Sequence, residues 1–253
     1  TLIVLSAPAV AAIEDPPAED CTINGTDAGE VLEGTDGPDV ICGRGGGDSI
    51  TGNGGDDVIY GGDGWDRISG GDGADVIYGG DGDDHIWGCF GADEIWGGDG
   101  DDHLRSCQCG CTTGAAGATI YGEAGDDDLR GSDGNDRLYG GLGNDQVYGF
   151  NANDTVVGGK GRDRLFGGNG NDQLRGYDGD DKLQGGKGKD KLEGGLGRDT
   201  LTGGGGADTL LGGKGKDHFA AKDGLRDVIK GGPGTDSGTW DNKDRVRSVE
   251  RRK

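Results

Sequence analysis

Residues 61–87 read GGDGWDRIS, GGDGADVIY and GGDGDDHIW, one nine-residue sentence written three times. Glycine holds the first and fourth places, aspartate the sixth and isoleucine the eighth. A fixed period of this kind decides the architecture before any local reading is attempted. Outward from residues 61–87 the sixth-place aspartate recurs at Asp39, Asp48, Asp57, Asp66, Asp75, Asp84, Asp93 and Asp102. It resumes at Asp127, Asp136, Asp145, Asp154, Asp163, Asp172, Asp181, Asp190, Asp199, Asp208 and Asp217. Two positions after each comes an apolar residue, from Ile41 and Ile50 through Leu104, then from Leu129 to Phe219.

Composition alone points elsewhere. Gly is 62 of 253 residues, hydrophobic residues are 30% and the net charge is -23, values that suggest a disordered chain. The glycines lack the every-third-residue period of collagen. Periodicity overrules these numbers, because one aliphatic residue in nine suffices if each stacks on its neighbour. In an x-U-x strand, U points inward and its flanks point out. The glycines permit positive φ and close backbone approach in the six-residue turn.

Written G-G-x-G-x-D-x-U-x, the unit is the nonapeptide of calcium-binding parallel β-helices. Over nearly all of residues 25–236 the chain resembles the RTX, or haemolysin-type, calcium-binding repeat proteins. The resemblance implies an all-β fold, a right-handed parallel β-roll with two nonapeptides per turn. Residues 18 apart then stack at about 4.8 Å. It also implies Ca2+ between stacked glycine-rich turns, held by the sixth-place aspartates listed above and by turn carbonyls. Asp57 with Asp75, Asp66 with Asp84 and Asp181 with Asp199 are such pairs, and roughly fifteen sites are expected, since calcium takes six to eight oxygens in irregular geometry.

Around the repeats, residues 1–20 read as the end of a secretory signal peptide (Ala9-Val10-Ala11 fits a cleavage pattern) and a disordered acidic lead-in. Residues 21–105 are N-terminal roll repeats, 106–121 a cysteine-rich loop with a degenerate copy that keeps Ile120, and 122–239 C-terminal roll repeats. A boundary between two shorter rolls is the alternative for 106–121. Residues 240–253 form a basic segment expected to cover the open last rung. Ala152 replaces a fourth-place glycine, so a weakened site is expected there. Residues 1–158 hold 5 Lys and Arg against 32 Asp and Glu, a net of -27, whereas residues 159–253 hold 20 against 16, a net of +4.

No H-E-x-x-H or G-x-S-x-G signature occurs, and His85, His103 and His218 occupy outward seventh places, so an enzyme is not expected. Nor is a nucleic-acid partner or a transmembrane segment. Two classes remain: a secreted, calcium-folded structural or adhesion module, with cell-surface glycans or envelope components as partners, or a carbohydrate- or ice-binding protein. The second would use the outward aromatics Tyr60, Tyr78 and Trp96 on one face and Trp87 on the other. Six cysteines in an exported chain favour disulfides. The 18-residue spacing pairs Cys89 with Cys107, Cys21 with Cys42 would tie the first rung to the next, and Cys109 with Cys111 remain. A thiolate metal cluster at Cys107, Cys109 and Cys111 is the alternative.

Overall fold

A computed structural model describes residues 16–106, 116–249 and 251–252. Consecutive strands alternate between two parallel 13-stranded sheets, and every strand pairs with the strands two before and two after it. The chain is thus a parallel β-solenoid. The right-handed sense expected of it agrees with the strong preference of parallel strand connections. Beyond the strands there is, among the described residues, one short 3-10 turn, Ala18–Asp20. Among the described residues no helix is long and apolar enough to cross a membrane.

Register follows the repeat. Ile59 sits opposite Ile77, and Ile68 opposite Ile86, each pair 18 residues apart. The eighth-place residues form two facing columns. Ile41, Ile59, Ile77, Ile95 and Ile120 lead into Leu138 on the first sheet, and Ile50, Ile68, Ile86, Leu104 and Leu129 into Val147 on the second, all buried. Each fully buried aliphatic side chain contributes about 1.5–3 kcal/mol. With a single such residue per strand the core is one side chain thick from each sheet, and only stacking makes it continuous.

Most strands are six residues long, as in Val58–Asp63 and Val76–Asp81, rather than the three of the x-U-x reading. The backbone stays in the ladder through places one to three, because the second-place residue takes a positive φ, 107° at Gly62 and 118° at Gly80. Three-residue strands are confined to special places, among them Val31–Glu33, His103–Arg105 and Asp128–Arg130.

Past residues 107–115 both sheets continue. Ile95 pairs with Ile120 and Leu104 with Leu129, so the register steps by 25 instead of 18. Near the end a one-residue insertion makes the step 19, with Leu210 opposite Ile229 and Phe219 opposite Gly238. Among the described residues Phe219 is the only phenylalanine in the core columns, and it lies against Gly238, a core place without a side chain. The basic terminal segment adds a rung to each sheet: Arg245–Arg247 pairs with Val228–Lys230, and Arg251–Arg252 with Ser237–Gly238. Val246 and Val249 pack against the core from there.

At the other end Cys21 and Cys42 form a disulfide with Cα atoms 6.1 Å apart. Arg44 fastens the lead-in across it, its guanidinium donating to the Pro16 carbonyl at 2.7 Å and to Asn24 Oδ1 at 2.9 Å. Cys89 is also disulfide-bonded. The expected pairings of Cys107, Cys109 and Cys111, the thiolate alternative and the signal-peptide reading of residues 1–12 lie outside the described residues.

Candidate metal sites along the turn columns

The sixth-place aspartates, polar residues in a chain poor in apolar ones, are as buried as the core; Asp66, Asp84, Asp102, Asp145, Asp163 and Asp199 are 0% exposed. Their backbone places them there. Each precedes a ladder strand, and where the next rung carries an aspartate its own N–H donates to that residue's Oδ1: Asp57 to Asp75 at 3.0 Å, Asp75 to Asp93 at 3.1 Å and Asp84 to Asp102 at 2.8 Å; after Asp93 the next rung carries Ala118, whose N–H donates onward to Asp136 Oδ1 at 2.7 Å. The chain of bonds crosses the register step, Asp102 donating to Asp127 Oδ1 at 2.8 Å. It also runs beyond the expected column, from Asp208 to Asp227 and from Asp217 to Asp236. Asp227 and Asp236 therefore belong to the set. Nine-residue counting missed them because of the one-residue insertion before Asp227.

Oδ1 is thus committed, and Oδ2 is not. In Asp48, Asp57, Asp75, Asp84, Asp93, Asp102, Asp127 and Asp145, and on through Asp236, Oδ2 is buried with no hydrogen-bond partner. Such orphaned buried oxygens are rare, because each carries a full desolvation penalty. Their surroundings are also rich in oxygen. A Cβ added to Gly79 would collide with both Asp84 Oδ2 and the Gly97 carbonyl, and one added to Gly80 would collide with the Gly62 carbonyl. The space beside Gly79 is therefore faced by a carboxylate oxygen of its own turn and a backbone carbonyl of the stacked turn, and the same pairing recurs at Gly70, Gly97 and Gly122. Only glycine leaves that space open.

Electrostatics agrees. Burial, ahead of repulsion from stacked neighbours, pushes Asp84 up to about 8, Asp102 to about 9 and Asp154 to about 8. Asp75, Asp127, Asp145 and Asp181 are pushed to about 7 for the same first cause. Without a cation these columns cannot stay fully ionised at neutral pH.

Two turns differ. At Asp39 the Oδ2 accepts from the Thr35 N–H at 2.7 Å and the Thr35 hydroxyl at 2.8 Å. At Asp136 it accepts from the Ser132 N–H at 2.6 Å, with the Ser132 hydroxyl 3.0 Å from Oδ1. Thr35 and Ser132 stand at place two, where other turns carry glycine or a residue at positive φ such as Asn53 or Tyr177. Here the strand stops at place nine, the second-place N–H leaves the ladder and turns back onto its own aspartate. That accounts for the short strands Val31–Glu33 and Asp128–Arg130. The local bonds hold the Asp39 carboxyl below the usual range, the Thr35 N–H contributing most. In the degenerate first copy Glu30 imitates the arrangement, Oε2 accepting from the Thr26 N–H at 2.8 Å. Ala152, by contrast, takes a φ of 74° and keeps the open geometry, leaving Asp154 Oδ2 without a partner. A left-handed non-glycine residue costs about 1–2 kcal/mol.

The donor set is all oxygen, and among the described residues no three His, Cys, Asp or Glu side chains converge on one point. Coordination must then draw on backbone carbonyls as well as carboxylates, from stacked turns. That suits a hard divalent cation tolerant of irregular oxygen coordination, which is calcium, rather than zinc with its nitrogen and sulfur ligands.

A family model for the RTX calcium-binding nonapeptide repeat matches residues 24–59, 43–77, 60–90, 78–106, 113–147, 148–183 and 184–219. The matches cover most of the sequence, and the chain belongs to that family. It is a calcium-binding repeat protein. A search of the curated proteins returns no match.

The outward aromatics divide as their register requires. Tyr60, Tyr78 and Trp96 stack on the first sheet, and the ladder continues through Tyr121 and Tyr139, with centroids 4.6–5.3 Å apart and rings within 22° of parallel. The 25-residue step hid Tyr121 from the count. Trp87 lies on the second sheet, edge-on to His85 at 6.0 Å.

Proposed function

We propose that this chain is an extracellular rod whose β-roll forms as calcium fills its open turns, and that the rod serves as a structural or adhesion module. The orphaned Oδ2 column carries this reading. Aspartates stacked every rung, buried and without donors, oppose folding until a cation neutralises them, so binding free energy becomes folding free energy. Extracellular modules of this type work at about 10⁻⁴ to 10⁻³ M calcium, which makes export the event that turns folding on. The Cys21–Cys42 disulfide supports an oxidising compartment.

The proposed ligands are the open-turn aspartates from Asp48 onward, with Asp227 and Asp236 added. The turns of Asp39 and Asp136 are proposed to close without an ion. Residues 21–239 act as one rod, its register carried across residues 106–121 by the Ile95–Ile120 and Leu104–Leu129 pairs. The first-sheet aromatic ladder is read as packing rather than a sugar platform: its rings use their faces on each other, and only the end faces remain for CH–π contact. Native mass spectrometry of the calcium-saturated chain tests the assignment. A count near the number of open-turn pairs is expected, and two or three ions in all would overturn it.

A further inference from the structure

We propose that the outward face of the second sheet between Trp65 and Arg105 binds an acidic polysaccharide, with sugar rings against Trp65 and Trp87 and anionic substituents on Arg67 and Arg105. This goes beyond the calcium rod and names a partner for one of its faces.

The charge distribution singles the face out. Residues 1–158 contain Arg44, Arg67, Arg105, Arg130 and Arg137 as their only Lys or Arg, against 32 acidic residues. Three of the five, Arg67, Arg105 and Arg130, stand on this sheet. Arg130 is spent on Asp128 at 2.9 Å and on the Tyr148 ring. Arg67 and Arg105 make no ion pair among the described residues. General relief of carboxylate repulsion would not gather the few cations of an acidic segment here and leave two of them unpaired.

The side chains around them are contiguous. The Arg67 guanidinium lies 5.0 Å from the Trp65 ring centre. His85 sits 5.3 Å from Trp65 and 4.6 Å from His103, and it meets Trp87 edge-on. These rings are tilted 58–73° to one another rather than stacked face to face like the first-sheet ladder, and Trp65, with the Arg67 guanidinium over its ring, is still 46% exposed. Aromatic bodies with polar tips are the usual anchors of such surfaces.

Spacing decides the class of polyanion. Arg67 shares a rung with Ser69, and Arg105 lies two rungs on, past Trp87. The two cations are then about 10 Å apart along the axis, at 4.8 Å per rung. Duplex DNA carries a charge every 1.7 Å or so and needs many neutralising cations; two in an acidic surround do not supply them. A chain with one anion every sugar or two, and hydroxyls between, matches two guanidinium groups separated by donors and rings.

The test uses the full, calcium-loaded chain in titration calorimetry with four probes: a heparin hexasaccharide, a galacturonate hexamer, neutral maltohexaose and a 12-base-pair DNA duplex. Either acidic sugar should bind and maltohexaose should not, and the tighter of the two names the anion. R67Q/R105Q should weaken binding at least tenfold, with calcium content and circular dichroism unchanged, while Y78A/W96A on the opposite sheet should leave it intact. Undiminished binding by R67Q/R105Q would mean that turn-bound calcium carries the contact and would overturn the proposal. Equal affinity for maltohexaose or for the duplex would overturn it too.

Discussion

The turns Gly70–Asp75 and Gly131–Asp136 occupy the same place in the same coil and are closed by different chemistry. In the first, Gly71 at φ 119° keeps the backbone in the ladder and leaves Asp75 Oδ2 buried without a donor. In the second, Ser132 turns its N–H and hydroxyl onto Asp136. One residue at place two decides whether the aspartate is satisfied from within or must be satisfied by a cation. The open form is therefore not a defect of packing; it is what remains when the chain withholds its own donors.

The largest effect expected from this contrast is chelation. Because open turns dominate, removing calcium should abolish most of the β signal in circular dichroism and restoring it should bring the signal back; unchanged β content after exhaustive chelation would refute the coupling. The more acidic segment before residue 158 should need more calcium than the segment after it.

Acidity should substitute for calcium in chelator. Among the open-turn aspartates, Asp93 is raised in the fold to about 6, Asp75 to about 7, Asp84 to about 8 and Asp102 to about 9, against an ordinary 3.8, chiefly by burial. A carboxyl raised in the fold stabilises the fold below its unfolded value and loses that contribution as pH climbs through its folded value. The ion-free chain should hence be more structured near pH 4 than near pH 8. With calcium present the sign reverses, and affinity should fall as pH drops from 9 to 6 because protons compete for the same oxygens. A pH-independent far-ultraviolet spectrum in chelator would contradict both.

Among single residues, Asp75→Ala should do most, since it removes an Oδ2 and also strips the Asp57 N–H of its acceptor. Loss of at least one bound ion and a higher calcium midpoint are expected. Asp72→Ala, at an exposed third place, should change stability by less than about 0.5 kcal/mol. Interchanging the two turn types is subtler. Ser132→Gly should gain one ion in native mass spectrometry, and Gly186→Thr should lose one; identical counts in both would show that place two is not the determinant.

Much of this was legible from the period. The aspartate and aliphatic columns and the 18-residue stacking follow from counting, because a solenoid repeats its contacts as often as its residues; the Cys21–Cys42 link, 21 residues apart, follows instead from the need to tie the first rung to the next. What escaped was whatever depends on a departure from the count. Asp227 and Asp236 fell outside it after one inserted residue, and Tyr121 after seven. The satisfaction of Asp39 by Thr35 was hidden for another reason: it depends on where a backbone N–H points once its strand has ended, and both turns look alike in a nine-letter pattern. The strands were read as too short for the same reason, since positive φ at place two keeps glycines in a sheet that their propensity argues against.

The step from Ile95 to Ile120 has a consequence for how such a molecule changes size. In a globular domain an insertion must be accommodated around a closed core, and surface-to-volume geometry limits growth. Here each rung touches only the rungs beside it, so chain added at a turn need not disturb any contact elsewhere: across the 25-residue step Ile95 still faces Ile120 and Leu104 still faces Leu129. Length and ornament are independent variables: 18 residues extend the rod by about 4.8 Å, and any number may hang from its side.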